Sequence, residues 1–253
     1  NQLTAVNGEA RGEKDTVYPY PDPSCTSWAT CWQADSVHSE YVVALMMQQV
    51  QKGQLNQPWR QWTVTDTTYH HKGMYGYWES DTVLGQSYLR LKTHSDLGNW
   101  QYLYQWVDTG WCRLVCYGMN DDLTELTDSL QDLNGDGHAD YWIHYYPPAG
   151  TYRMDIYEVY LYHPNLQQMV YITDLSNPTF YPEAGLVRGF DYDHPEEVDY
   201  YTYRWNAHQL DTVELIEQPY RCADDTAAIL RHYWAAGKWL TVVVGAVPRV
   251  YLE

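Results

Sequence analysis

Apolar and polar residues alternate in short runs along most of this chain. "SYLRLKT" and "WQYLYQWVD", joined by "HSDLGN", alternate on both arms, as a hairpin with one buried face requires. "GWCRLVCYGM" predicts a further strand. Towards the C-terminus, "ADYWIHYY", "YEVYLYH", "QQMVYITD", "LVRGFDYD", "VDYYTYRW" and "DTVELIEQ" are short segments rich in β-forming residues. "PPAG", "HPN", "NPTFYPEAG", "HPEE" and "NAHQ" separate them, and their Pro, Gly and Asn favour turns. "AAILRHYWAAGKWLTVVVG" predicts a last hairpin about Ala-Ala-Gly. About a dozen strands with few helical stretches predict an all-β protein, whether propeller, barrel or sandwich. The apolar run of "EYVVALMMQQV" fits either a helix or a strand, and "QKGQLNQ" followed by "PWRQWTV" argues for a hairpin after it. "DDLTELTDSLQ" is polar enough to hold a helical turn. Residues 1–24 are expected as an extended lead-in, and residues 25–253 as one all-β domain without a clean linker.

Composition narrows the partners. The chain holds 26 Tyr and 12 Trp against 2 Phe, side chains that fill apolar space and keep a hydrogen-bonding end. That suits sheets with one wet face, and surfaces that grip a partner. Lys and Arg number 15 against 33 Asp and Glu, a net charge of −18. Phosphate backbones need basic groups, so nucleic acid is excluded as a partner, and an anionic membrane surface is disfavoured. A basic protein would be steered towards this surface. No apolar run is long enough for a transmembrane helix. The polar start "NQLTAVNGEARGEKD" resembles a mature N-terminus left after a signal peptide is removed.

Cysteines at 25, 31, 112, 116 and 222 show no zinc spacing. Cys25 and Cys31, in "PYPDPSCTSWATCW", and Cys112 and Cys116, in "WCRLVC", are the candidates for disulfides, within each pair or crosswise. Cys222 is left over. Clustered Cys and few Lys point to an oxidising compartment.

The strongest local motif is "DLNGDGHAD". Calcium takes hard oxygens presented at alternate positions of a tight loop. Asp132, Asn134, Asp136, the backbone carbonyl of His138 and Asp140 stand at those positions, with Gly137 where the sharp turn falls. The position that closes an EF-hand loop with Glu holds Ile143, and a strand follows instead of a helix. The expected ion is therefore structural calcium, pinning a loop that enters a core strand.

No motif for nucleophilic, phosphoryl-transfer or zinc-protease chemistry occurs, and Ser87 in "LGQSYL" lacks the nucleophile elbow. Adjacent His70 and His71 would point to opposite faces of a strand, without a carboxylate at metal spacing. Pairs such as Asp191 with Asp193, or Glu196 with Glu197, meet a glycosidase's need for two carboxylates only nominally in so acidic a chain. The expectation is that the protein is not an enzyme.

The loop, the Tyr-rich strand after it, Leu175-Ser176-Asn177-Pro178-Thr179 and the hairpin "VDYYTYRWNAHQL" together resemble one bacterial envelope family. It comprises calcium-binding, β-propeller-like periplasmic proteins related to invertebrate-type lysozyme inhibitors, including immunity proteins against secreted peptidoglycan-degrading effectors. The resemblance covers residues 130–217. It implies about five small blades of hairpins around one calcium loop, a periplasmic location after export, and a basic peptidoglycan-hydrolase toxin as partner. The family's inhibitory loop is Ser-Gly-x-x-Tyr-like. Here the corresponding tip is "YDHPEEVDYY", without Ser-Gly, and only Tyr200 or Tyr201 matches its Tyr. The resemblance thus offers Asp193, His194, Glu196, Glu197, Asp199, Tyr200 and Tyr201 as the partner-binding set. The alternative function is a non-inhibitory, calcium-stabilised recognition or adhesion module at the cell surface.

Overall fold

A computed structural model describes residues 2–5, 28–51, 61–65, 74–94, 98–108, 110–120, 124–147, 154–194, 197–218 and 228–251. The chain divides into two compact units, Asn1–Asp122 and Leu123–Glu253, where the sequence suggested one domain from residue 25 onward.

The first unit contains strands β1 (Gln2–Ala5), β2 (Gln61–Thr65), β3 (Met74–Val83), β4 (Gln86–His94), β5 (Gly98–Val107) and β6 (Gly110–Asn120), and helix α1 (Trp28–Gln51). The strands pair in chain order as one antiparallel sheet. Within the expected lead-in, Gln2–Ala5 adds an edge strand on Gln61–Thr65, and residues 6–24 lie outside the described residues. Helix α1 resolves the ambiguous apolar run and takes in Cys31, which the sequence placed in a loop. Val42, Val43, Met46 and Val50 follow helical spacing and are all buried. A strand would have sent Val42 and Val43 to opposite faces; the helix lays both on Leu89, Leu91, Trp100, Tyr102 and Tyr104 of the sheet. Buried Ser39 reinforces the contact through its hydroxyl, bonded to Thr93 Oγ1 at 2.5 Å and Tyr102 Oη at 2.7 Å.

Among its described residues the second unit is strand apart from turns, the 132–139 loop and two short 3-10 helices, Pro182–Ala184 and Arg249–Tyr251. A four-stranded sheet runs β10-β9-β8-β7, built from β7 (Thr124–Gln131), β8 (Asp140–Tyr146), β9 (Ile156–His163) and β10 (Gln168–Ser176). A six-stranded sheet follows chain order through β11 (Thr179–Tyr181), β12 (Leu186–His194), β13 (Glu197–Asn206), β14 (Gln209–Gln218), β15 (Ile229–Ala235) and β16 (Lys238–Val244). All pairings are antiparallel. The polar segment expected to hold a helical turn is edge strand β7, which hydrogen-bonds β8 along one side.

Leu133, Val159, Leu161, Leu175, Val187, Tyr201 and Trp205 form one buried core to which both of these sheets contribute. The all-β expectation therefore holds for the second unit, while the first adds one long helix. Among the described residues, the strand ladders give three sheets of six, four and six strands, a different count from five small blades. No helix among them is long and apolar enough to cross a membrane.

Candidate functional site

Residues 132–140 leave the end of β7 and lead into β8, so the Asp-rich loop is clamped at both ends by paired strands. Its shape follows from side-chain oxygens accepting backbone N–H groups. Asp132 takes Gly135 N at 2.6 Å and Gly137 N at 2.9 Å, one on each carboxylate oxygen. Asn134 Oδ1 takes Asp136 N at 3.0 Å, and Asp136 Oδ1 takes His138 N at 2.9 Å. These local bonds are why Asp and Asn suit such turns. Gly135 and Gly137 each adopt φ +83°, the left-handed region where a Cβ is disfavoured.

Asp140 differs from the other loop acids in being fully buried. Its carboxylate accepts Leu133 N and Tyr162 N, both at 2.9 Å, so it ties the loop's start to β9. Its carboxyl is raised to about 7, chiefly by burial and to a lesser degree by Asp136 and Asp132, while the two amide bonds oppose the shift. Three carboxylates, an amide oxygen and the His138 carbonyl are hard donors of the kind calcium prefers. A carboxylate has about four lone-pair sites, so amide bonds leave room for a cation. The residues fit the ion by donor type. As arranged here, the loop acids face backbone amides, and no cluster of three His, Cys, Asp or Glu able to hold a metal occurs among the described residues.

The second family-like motif lies beside the loop. Asn177 takes φ +47°, donates from Nδ2 to Phe190 O at 3.1 Å and accepts Asp155 N at 3.2 Å on Oδ1. It thereby joins β12 to the start of β9, which accounts for an Asn at the end of β10. Leu175 and Leu133 belong to the same buried core.

The predicted partner-binding residues separate. Of the set, Asp199 is exposed on β13. Tyr200 is half-buried, its ring 6.2 Å from Phe190 and 5.4 Å from Tyr251. Tyr201 is 6% exposed, stacks on Tyr203 at 4.6 Å and donates its hydroxyl to Ser176 O at 2.7 Å. Neighbours along a strand face opposite sides, and here Tyr201 has the core side, where it fastens the sheet to β10. Tyr201→Phe is expected to cost about 1 kcal/mol of stability, the net worth of one hydrogen bond, with partner affinity unchanged; chemical unfolding beside a binding titration checks both. Glu196 and the side chains of Asp193, His194 and Glu197 lie outside the described residues, as do His70 and His71.

Cys112 and Cys116 carry free, exposed thiols. They stand four positions apart on strand β6, on the order of 10 Å at strand rise, beyond the Cα separation a disulfide spans. The mutual bridge between them is thus corrected. Cys25, Cys222 and the side chain of Cys31 lie outside the described residues.

Together these features define an antiparallel β protein of two units, the second built around an Asp-rich loop. No protein-family model matches the sequence, and no curated protein matches it. One solved structure, described as a Xanthomonas type IV secretion system related protein, is similar with a TM-score of 0.42 and 13% identity, covering 74% of this chain and 95% of that one. A likeness that slight bears on neither activity nor partner.

Proposed function

We propose that this protein is a periplasmic immunity or inhibitor protein that binds and blocks a basic, peptidoglycan-degrading secreted effector. The observation that carries the reading is the joint placement of the two motifs of the family resemblance. The Asp132–Asp140 loop and the Asn177 turn, distant in sequence, meet in one core through Leu133 and Leu175. The charge of −18 supports it further, since such a surface steers basic partners. On this reading the protein is exported to the periplasm and is not an enzyme. The loop holds a structural calcium, with Asp132, Asn134, Asp136, the His138 carbonyl and Asp140 as ligands. Asp199 with the acidic tip of the β12–β13 hairpin faces the effector.

The test mixes the protein, with calcium present, with the hydrolases encoded beside its gene, and follows complex formation and cell-wall turnover. A stable complex that stops hydrolysis is expected; no complex with any of them overturns the reading. Calcium is expected to raise stability by about 2.7 kcal/mol at a hundredfold excess over its dissociation constant, seen as a higher melting temperature that a chelator reverses. Chelation should weaken effector binding only through this loss of stability. If it abolished binding at an unchanged melting temperature, the structural role of the ion would be wrong.

One observation favours the alternative recognition module. Trp234 and Trp239, 5.8 Å apart on the β15–β16 hairpin, are exposed together with Val243. Binding of a cell-surface glycan without binding of any hydrolase would support that reading instead.

A further inference from the structure

Beside the loop lies an open cleft of about 300 Å³, lined by Gln131, Asp132, Pro178, Thr179, Pro182 and three aromatic side chains. Trp142 comes from β8, Tyr157 from β9 and Phe180 from β11, and Asp132 adds a carboxylate. The ring centroids of Trp142 and Tyr157 are 5.0 Å apart with planes inclined by 57°. Tyr157 and Phe180 are 6.5 Å apart at 67°. Rings so inclined stand tilted or edge-on to one another instead of lying in a stack. All three pack against the core of the second unit, which holds them in place. Trp142 Nε1 is buried without a hydrogen-bond partner, so the indole contributes its ring at this place and not its polar end.

Aromatic faces carry the negative part of the ring quadrupole, and Trp attracts cations most strongly. A carboxylate beside such faces adds a full negative charge. We propose that this cleft receives the cationic end of one arginine or lysine side chain of the basic effector. The assignment rests on the inhibitor reading for the source of that side chain, while the cleft's preference for cations stands on its own lining. Acidic residues elsewhere would steer the partner, and the cleft would hold it by one inserted basic residue.

The test uses the whole protein with blocked arginine and blocked lysine (acetylated, methylamide-capped) as probes, and blocked norleucine as the uncharged control. Binding is followed by NMR on the Trp142 indole signal, assigned with Trp142→Phe, and independently by calorimetry. Saturable binding of one or both cations is expected, with norleucine at least tenfold weaker. Phe180→Leu should weaken the cation about three- to tenfold, as loss of one cation–π face predicts, and Trp142→Phe, which puts the weaker phenyl face in place of the indole, should weaken it by a smaller factor; the second keeps an aromatic filler if the first misfolds. Equal binding of norleucine, no saturation, or no effect of either variant overturns the proposal. With the effector itself, wild-type affinity in a folded Phe180→Leu protein sinks the cleft and leaves the inhibitor reading intact. An effector that ignores the wild-type protein, while blocked arginine still binds, sinks the inhibitor reading alone.

Discussion

Asp140→Ala is expected to lower the unfolding free energy of the second unit by about 2–6 kcal/mol in calcium-free buffer. Both Asp140 oxygens accept backbone N–H groups, from Leu133 and Tyr162, in a place from which solvent is excluded. Truncation leaves one buried donor, Leu133 N, and one part-buried donor, Tyr162 N, without acceptors, each costing about 1–3 kcal/mol. Asp140→Asn keeps one carbonyl acceptor and should cost about half as much. Asp132→Ala also removes two acceptors, but its amide partners Gly135 and Gly137 are exposed, so water replaces the lost bonds. That variant should cost below about 1 kcal/mol without the ion. Urea unfolding gives the totals, and hydrogen exchange localises them: the Leu133 and Tyr162 amides should lose protection in Asp140→Ala and keep it in Asp132→Ala. Equal costs for the two variants would show that burial does not set the role of Asp140.

The loop was legible from sequence because most of the bonds that shape its turn lie within nine residues. Its Asp and Asn side chains bond amides two to five positions on, as such residues do wherever a turn allows. The strands of the second unit were legible for a similar local reason: period-two alternation bounded by Pro, Gly and Asn. Strand β7 escaped because an edge strand is paired on one side only, and "TELTDSLQ" gives it little apolar signal. Helix α1 escaped because an apolar run does not reveal whether its period is two or near four until something packs on it. The opposite roles of Tyr200 and Tyr201 depend on which face of β13 meets β10, a non-local choice. The aromatic cleft is less legible still. Trp142, Tyr157 and Phe180 belong to three strands, and only the pairing of His144 with Tyr157, together with the turn at Asn177, gathers their rings. Nor does the sequence hint that the loop packs against Pro182.

That last contact makes Gly135→Ala the second large effect, and Gly137→Ala its built-in control. Both glycines hold φ +83°, so alanine is strained equally at each, by about 1–2 kcal/mol for the left-handed backbone. Around Gly137 a new methyl meets nothing within 4 Å, and the strain is the whole cost. At Gly135 the methyl would fall well inside 3.0 Å of the Pro182 carbonyl oxygen. That oxygen cannot easily move. The pyrrolidine ring restricts the backbone at Pro182, and the oxygen accepts Gly185 N at 3.0 Å to close the 3-10 turn Pro182–Ala184. Gly185 O in turn accepts the amide of buried Trp205 at 2.9 Å, so a displaced Pro182 would pull on the core. Either the loop lifts from the turn or this chain of bonds breaks, adding about 1–3 kcal/mol of overpacking to the strain. Gly135→Ala should therefore destabilise by roughly 2–5 kcal/mol against about 1–2 for Gly137→Ala. It should also release the Gly185 and Trp205 amides to exchange, which Gly137→Ala leaves protected. Equal stabilities of the two variants would mean that the loop does not bear on Pro182, and the loop's closure on the six-stranded sheet would have to be redrawn.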